Sequence, residues 1–244
     1  YRDGVVNVNV KFTQTDREAE KTEVLEDTNL ATFTPGKKVK KKDVLEVPRI
    51  GVRFRIPHVM NRVEYFGRGP VENYVDRNAG SMVGRYKTSA EEMYVNYVRP
   101  QENGHRTDTR WVSFTNTAGR GLLVLAEKTV GFNALRNTVE DFDSEESSHP
   151  YQWRNRSPKE VAGKNEAEAK SVLRRMTHVN DIVPRDFVEV CIDMKQQGVA
   201  GYDSWGAKVQ PGYTIPANRD YVWGFTLIPV KNVGDVNKSL RYTY

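Results

Sequence analysis

Strict alternation of apolar and polar residues is the feature that most limits how this chain can fold. Successive side chains of a β-strand point to opposite faces, so a period of two predicts strands that cover a core with one face. Helices would need apolar residues three and four positions apart, and that pattern is scarce here. The segments that alternate are 6–12, 50–56, 188–194 and 221–227.

Other segments refine this fold prediction. The run 121–126 is apolar throughout, which predicts a strand buried on both faces. Helix signals are limited to the capping-box spacing at 157–160, the helix-forming residues 166–176 and one turn at 88–93. We therefore predict an all-β chain, a large antiparallel sandwich with few short helices. No internal repeat or Pro/Ser-rich linker divides it, so residues 1–244 are interpreted as one domain.

Composition excludes several classes of partner. A net charge of +5 suggests a nucleic-acid partner, but the densest lysine run, 37–42, follows Pro35-Gly36 and precedes acidic residues. With no nucleic-acid motif in the chain, a solvated hairpin loop is the better interpretation, and we predict no nucleic-acid partner. No apolar run is long enough to span a membrane, so no membrane partner is expected. Because the first residue is Tyr1 and not methionine, we expect a fragment of a longer polypeptide.

Metal and nucleophile chemistry also lack a basis in these residues. The histidines, which are His58, His105, His149 and His178, include no pair at metal-ligand spacing. Cys191, the single cysteine, alternates within a predicted strand and is interpreted as a packing residue. These residues therefore predict no metal site within this chain and no nucleophilic role for Cys191.

Polar, aromatic and glycine residues concentrate in three stretches, 66–77, 99–111 and 195–207. Such mixtures suit sugars, whose hydroxyls pair with carboxylate, amide and guanidinium groups and whose C–H faces stack on aromatic rings. Ion pairs that pin loops onto the sandwich or onto a neighbouring domain are the alternative, and we favour it for the first two stretches. Glu72 would then pair with Arg77, and Glu102 with Arg106 and Arg110.

These stretches resemble the C-terminal domain of β-galactosidases of glycoside hydrolase family 2, and the resemblance covers nearly the whole chain in order. Segments 48–51 and 183–186 are also similar to that family. The first stretch matches G-x-G-P-x-E-N-Y-x-D-R at Gly67, Gly69, Pro70, Glu72, Asn73, Tyr74, Asp76 and Arg77. The second matches P-x-E-N-G-x-R at Pro100, Glu102, Asn103, Gly104 and Arg106, and the third matches D-S-W at Asp203, Ser204 and Trp205.

The resemblance implies a supersandwich similar to galactose mutarotase and a role in binding a β-galactoside. Trp205 would be a stacking platform, with Asp203 and Ser204 beside it. The two catalytic glutamates of a retaining mechanism, and the Mg²⁺ and Na⁺ sites, would lie on a barrel elsewhere in the same polypeptide, and the full-length enzyme would be a homo-oligomer. Structural or domain-interface roles are implied for the matched residues of the first and second stretches, which are Glu72, Asn73, Tyr74, Asp76, Arg77, Glu102, Asn103 and Arg106. We predict the same role for Arg110, which follows the second motif.

Two departures and two alternatives accompany this interpretation. Tyr202 stands where the family often has an acidic residue, which bears on sugar preference, and Val75 replaces a common proline. One alternative is a free-standing mutarotase-like epimerase, with Glu102, Glu72 and His105 as candidate acid and base. The other is a non-catalytic carbohydrate-binding or structural module. The cellular compartment stays open.

Overall fold

Antiparallel strands make up most of the regular structure. The computed structural model describes residues 4–12, 46–142, 179–203, 206–232 and 236, and the backbone of strands at 24–26 and 38–40. The strands are β1 (Val6–Phe12), β2 (Val24–Glu26), β3 (Lys38–Lys40), β4 (Arg49–Pro57), β5 (Arg62–Gly69), β6 (Met82–Ser89), β7 (Arg106–Thr115), β8 (Gly121–Leu135), β9 (Phe187–Gln196) and β10 (Tyr221–Val230).

Helical structure is short where it occurs. Single 3-10 turns lie at His58–Met60, Val139–Phe142, Val179–Asp181 and Pro211–Tyr213. The turn predicted at 88–93 is confirmed, because Met93 N–H donates to the Ser89 carbonyl over 3.0 Å. The helices predicted at 157–160 and 166–176 lie outside the described residues. Over the part of the chain that the structure describes, no helix is long and apolar enough to cross a bilayer.

Two layers of strands share the long strand β8. Its first part pairs with β10, and its last part pairs with β9. The first layer has the order β1-β10-β8-β7-β5-β6, and the second runs from β8 through β9 to β4. These pairings are antiparallel, as is that of the separate β2–β3 ladder, so the predicted all-β antiparallel sandwich is confirmed.

The main core lies between the two layers, and the apolar side of each alternating segment faces it. Phe132 of β8, Val190 of β9 and Phe54 of β4 enter from the second layer. Phe225 of β10 and Val8 of β1 meet them from the first. Burial of this apolar surface is the main stabilising term for such a fold.

A second apolar cluster covers the opposite face of the first layer. Leu123 packs there with Trp111 and Val230, whereas its neighbour Val124 packs in the main core. Consecutive residues of β8 are therefore buried on opposite sides of one sheet. The prediction that the run 121–126 is buried on both faces is confirmed.

The predicted stretches meet at one end of the sandwich. The loop 70–81 leaves β5 and returns as β6, with Gly69 opposite Met82. Strand β7 begins beside that loop, since Asn73 N–H donates to the carbonyl of His105. In the second layer Gln196, the last residue of β9, is paired with Arg49, the first residue of β4.

Truncating the central aromatic ring of the core tests this architecture. Phe132 is fully buried, with its ring centroid 5.1 Å from that of Tyr65 and 6.4 Å from that of Phe114. Phe132→Ala is expected to lower the free energy of unfolding by about 3–5 kcal/mol, because it leaves a cavity between the layers. Urea denaturation measures the change. Val222→Ala, at a β10 position that is 70% exposed, should stay within about 0.5 kcal/mol of wild type. A Phe132→Ala loss no larger than that control would contradict the two-layer core.

Candidate functional site

The Glu72 carboxylate joins the first stretch to the second. One oxygen accepts the backbone N–H of Gly104 over 2.7 Å. The other accepts the guanidinium of Arg77 over 2.7 Å and the hydroxyl of Tyr97. The predicted Glu72–Arg77 ion pair is therefore present, and it belongs to a larger bridge between two loops. Charge-assisted bonds of this kind are stronger than neutral ones and fix both loops together.

Asn73 and Tyr74 strengthen the same junction from within. The Asn73 side chain is buried and donates to the carbonyls of Arg68 and Val71, while its oxygen accepts from the N–H and hydroxyl of Thr107. Tyr74 is also buried, and its ring stacks on the ring of His105 with centroids 5.4 Å apart. Burial raises the pKa of the Tyr74 hydroxyl. Both residues hold the fold rather than face solvent.

Asp76 joins the first stretch to the third. Its carboxylate accepts the backbone N–H of Ala200 over 2.8 Å, just before the loop that leads to the D-S-W residues. In that loop Tyr202 is 66% exposed, and Asp203 is exposed while its carboxylate accepts the N–H of Ala207 over 3.1 Å. Ser204 and Trp205 lie outside the described residues. Their predicted roles stay predictions. The residues directly before and after them, at positions 203 and 206, are exposed.

The predicted partner of Glu102 was wrong. Its carboxylate lies 3.5 Å from the guanidinium of Arg49, not beside Arg106 or Arg110. Arg106 is buried and donates to the carbonyls of Gly104 and Pro70. The register shifts of β7 between positions 106 and 111 separate the two arginines.

The shifted register gives Arg110 different neighbours from Arg106. Arg110 donates to the Asp108 carbonyl and lies over the ring of Phe66, 5.6 Å from its centroid. Asp108 itself has a φ of 53°, in the left-handed region, at the centre of this irregular part of β7. Arg110 therefore interacts with the first layer rather than with the Glu102 loop.

The partly buried Arg49 and the fully buried Asp193 form an ion pair close to Glu102. Two guanidinium nitrogens of Arg49 donate to the two carboxylate oxygens of Asp193, over 2.7 and 2.5 Å. Opposite Asp193 stands Gly51, where a Cβ would lie 2.0 Å from a carboxylate oxygen of Asp193. Only glycine therefore leaves room for this pair on β4.

Burial and pairing act in opposite directions on these charges. Burial lowers the pKa of Arg49, but the hydrogen bond and charge of Asp193 more than reverse this and raise that pKa above its ordinary value. Burial raises the pKa of Asp193, and Arg49 offsets part of that effect. Burial likewise raises the pKa of Glu102, with Arg49 opposing it. The Arg49 guanidinium is thus the cation that opposes the effect of burial on the pKa of both carboxylates in this cluster.

His105 and Asn103 complete the cluster without being accessible. His105 is 2% exposed, and burial lowers its pKa well below the ordinary value, so its ring is neutral at pH 7. Asn103 is buried and accepts the N–H of Val95 with its side-chain oxygen. Of the three residues considered for an epimerase, His105 is shielded and the Glu72 carboxylate is occupied. Only Glu102, with a side chain 25% exposed, could reach a ligand.

Other reactive groups in the described ranges have structural surroundings. Burial raises the pKa of the Cys191 thiol to about 12, which agrees with its interpretation as a packing residue. Within residues 46–142, 179–203 and the other described parts, no group of His, Cys, Asp and Glu is arranged to hold a metal ion.

Sequence reasoning missed the residues that link the predicted ones. Arg49 belongs to the segment 48–51, which resembled the family but was given no role. Asp193 occupies the polar phase of β9, which is normally solvated in antiparallel sheets. Tyr97 and Asn133 carried no signal, although Asn133 faces both Arg49 and Glu102 at 3.4 and 3.5 Å.

Comparison with known proteins shows what the whole chain is similar to. A protein-family model described as beta galactosidase small chain matches residues 1–227. A curated "Beta-galactosidase" of Priestia megaterium is 38% identical over 185 residues, which are 76% of this chain and 15% of that protein. Those of Halalkalibacterium halodurans and Vibrio cholerae are 29% and 30% identical over 75% and 71% of this chain. The chain spans 15% and 13% of the length of those two relatives.

Removing the Arg49 cation, which pairs with the buried Asp193, tests the electrostatics of the cluster. Arg49→Met is expected to lower the free energy of unfolding at pH 7 by about 3–5 kcal/mol, because Asp193 is left as an unpaired buried charge. In this variant the folded-state pKa of Asp193 rises further above its unfolded value. The deficit relative to wild type should therefore grow as pH rises from the wild-type folded-state pKa of Asp193 to that of the variant, and shrink towards acid pH.

Urea denaturation between pH 4 and pH 8 measures this deficit, with Arg55→Met as the control. Arg55 has a half-exposed side chain and lies 3.5 Å from Glu189, which also pairs with Arg53. Its loss should cost about 1 kcal/mol or less. A deficit of Arg49→Met that is small at pH 7, or that does not vary with pH, would contradict the assigned role of Arg49.

Proposed function

This chain belongs to the beta galactosidase small-chain family, and we propose that it completes the substrate pocket of a larger β-galactosidase. That enzyme would hydrolyse terminal β-D-galactosides such as lactose. Its catalytic glutamates, with Mg²⁺ and Na⁺, would lie on a barrel in the rest of the polypeptide. The small share of the relatives' length that this chain covers supports a division of labour between domains.

The proposed reaction is a double displacement that retains configuration at the anomeric carbon. One carboxylate of the barrel would form a bond to that carbon while a carboxylic acid protonates the leaving sugar. Water, deprotonated by the same acid–base residue, would then displace the enzyme from the galactosyl group. In this scheme the present chain forms no covalent bond. It supplies binding contacts for the sugar that leaves or for an acceptor that replaces water.

The observation that carries the proposal is the exposure of residues 201–203 and 206 at the end where the three stretches meet. Gly201, Tyr202, Asp203 and Gly206 are all exposed, and Asp76 holds the beginning of the loop. An aromatic ring on such a loop can stack on the apolar face of a sugar. We assign that platform to Trp205, with Asp203 and Ser204 as adjacent polar groups.

The first and second stretches would brace this end against the barrel. Charged residues of these stretches are hydrogen-bonded within the chain: Glu72 accepts the N–H of Gly104, and Arg106 donates to the carbonyl of Pro70. Apolar Val71 and Met82 are nevertheless largely exposed at the same end. Exposed apolar residues beside a rigid polar network suit an interface with another domain. The barrel of the same polypeptide is the partner we propose.

Replacing the platform in the full-length enzyme tests this function. Trp205→Ala is expected to raise KM for lactose by about tenfold, because the stacking surface is lost. The melting temperature should not change, since the loop is exposed around this position. The response of the rate to added glucose as an acceptor should weaken in parallel. Steady-state kinetics with lactose and thermal denaturation provide the measurements.

Tyr213→Ala is the matched control for that experiment. Tyr213 is an aromatic residue, 37% exposed, that lies near the base of the same loop but outside it. Its loss should leave KM for lactose within about twofold of wild type, as for most surface substitutions. Wild-type lactose KM and an unchanged glucose response in Trp205→Ala would refute the assignment of Trp205.

A further inference from the structure

The chain turns sharply just after β9, before it reaches the exposed loop. Ala200 has a φ of 54° and Gly201 a φ of 79°, so two successive residues adopt left-handed conformations. Glycine adopts this region freely, whereas the Cβ of alanine makes it unfavourable. A turn of this kind persists only where its surroundings hold it in place.

Asp76 is the side chain that holds this turn. Its Oδ2 accepts the N–H of Ala200 over 2.8 Å, and it also lies against the backbone of Gly198. A Cβ at Gly198 would lie 2.4 Å from that oxygen, so this close approach requires glycine. The other carboxylate oxygen, Oδ1, is buried. The carboxylate therefore faces the turn and not the solvent.

The base on which Asp76 stands is itself rigid. The N–H of Arg77 donates to the carbonyl of Tyr74 over 2.8 Å, which closes a tight turn around Asp76. Tyr74 is buried against His105. The Asn73 side chain donates to the carbonyl of Arg68 and accepts the N–H of Thr107. Movement of Asp76 relative to the sandwich would break several of these contacts.

Contacts on the other side hold the start of the turn. The N–H of Gln197 donates to the carbonyl of Pro48, and that of Gly198 donates to the carbonyl of Tyr213, each over 2.9 Å. Beyond Ala200 the chain becomes exposed from Gly201 through Asp203. The Asp76–Ala200 hydrogen bond is thus the last contact with the first stretch before the exposed part of the loop.

We propose that Asp76 is a positioning residue, which sets where the loop 201–207 presents Trp205 to the sugar. This inference rests on the proposed function of Trp205. Asp76 would not touch substrate; it would act through the direction in which the chain leaves Ala200. The first stretch would then control binding by the third, although the two are more than a hundred residues apart in the sequence.

Amide hydrogen exchange in the full-length enzyme tests the hold on the loop without reference to activity. Asp76→Ala should speed exchange in the peptide 198–203 by about tenfold, the effect of losing one charge-assisted hydrogen bond. Asp76→Asn, which keeps a carbonyl oxygen at the same place, should stay close to wild type. Arg77→Ala is the matched control, because it breaks the ion pair with Glu72 in the same stretch and has its contacts with Glu72, Tyr97 and Tyr74 rather than with 198–200. Unchanged exchange in Asp76→Ala would overturn the inference.

A double-mutant cycle with lactose tests whether the effect on binding passes through Trp205. Asp76→Ala alone should raise KM by about threefold or more with little change in kcat, and it should add nothing in a Trp205→Ala background. A residue with only a structural role would raise KM by the same factor in both backgrounds, and that result would overturn the inference. If Trp205→Ala alone leaves KM unchanged, the proposed function fails. Amide hydrogen exchange in the peptide 198–203 then tests separately whether Asp76 stabilises the turn.

Discussion

Membership of β8 in two layers is the constraint on which the rest of this structure depends. Its first part completes the β10 ladder and its last part completes the β9 ladder, so one strand fixes how the layers cross. That crossing brings the end of β9 and the beginning of β4 next to the loops of β5 and β7. Without this arrangement Arg49 would not lie close to Glu102, and Asp76 would not reach the backbone of Ala200.

Much of the fold is readable from the residues because alternation reports local geometry. Val8, Phe54, Val190 and Phe225 all sit on the faces that the period of two assigns to the core. The apolar stretch of β8 announces burial on both sides for the same reason. Such patterns report which face of the sheet each side chain occupies, and this follows from the local geometry of a strand without any information about distant residues.

The site is less readable because its pairings are set by tertiary contacts. Glu102 meets Arg49 and not an arginine of its own stretch, because Arg106 donates to the carbonyls of Gly104 and Pro70 and Arg110 donates to that of Asp108. Asp193 is buried although it occupies the polar phase of β9, since loops cover that face and a guanidinium neutralises it. The hydrogen bond between Asp76 and Ala200 joins loops of the two layers. A motif match identifies the first and third stretches but does not show that they are in contact. The role of Trp205 stays a prediction from resemblance.

The hydrogen bonds from Ala207 to Asp203 and from Ala200 to Asp76 have a consequence for the exposed residues between them. Neither bond uses the side chain of residue 201 or 202, so a change of side chain at these exposed positions leaves both bonds available. Position 202, where tyrosine replaces the usual acidic residue, lies between them with its ring in solvent. Substitution of that side chain therefore alters the exposed surface after β9 without removing either hydrogen bond.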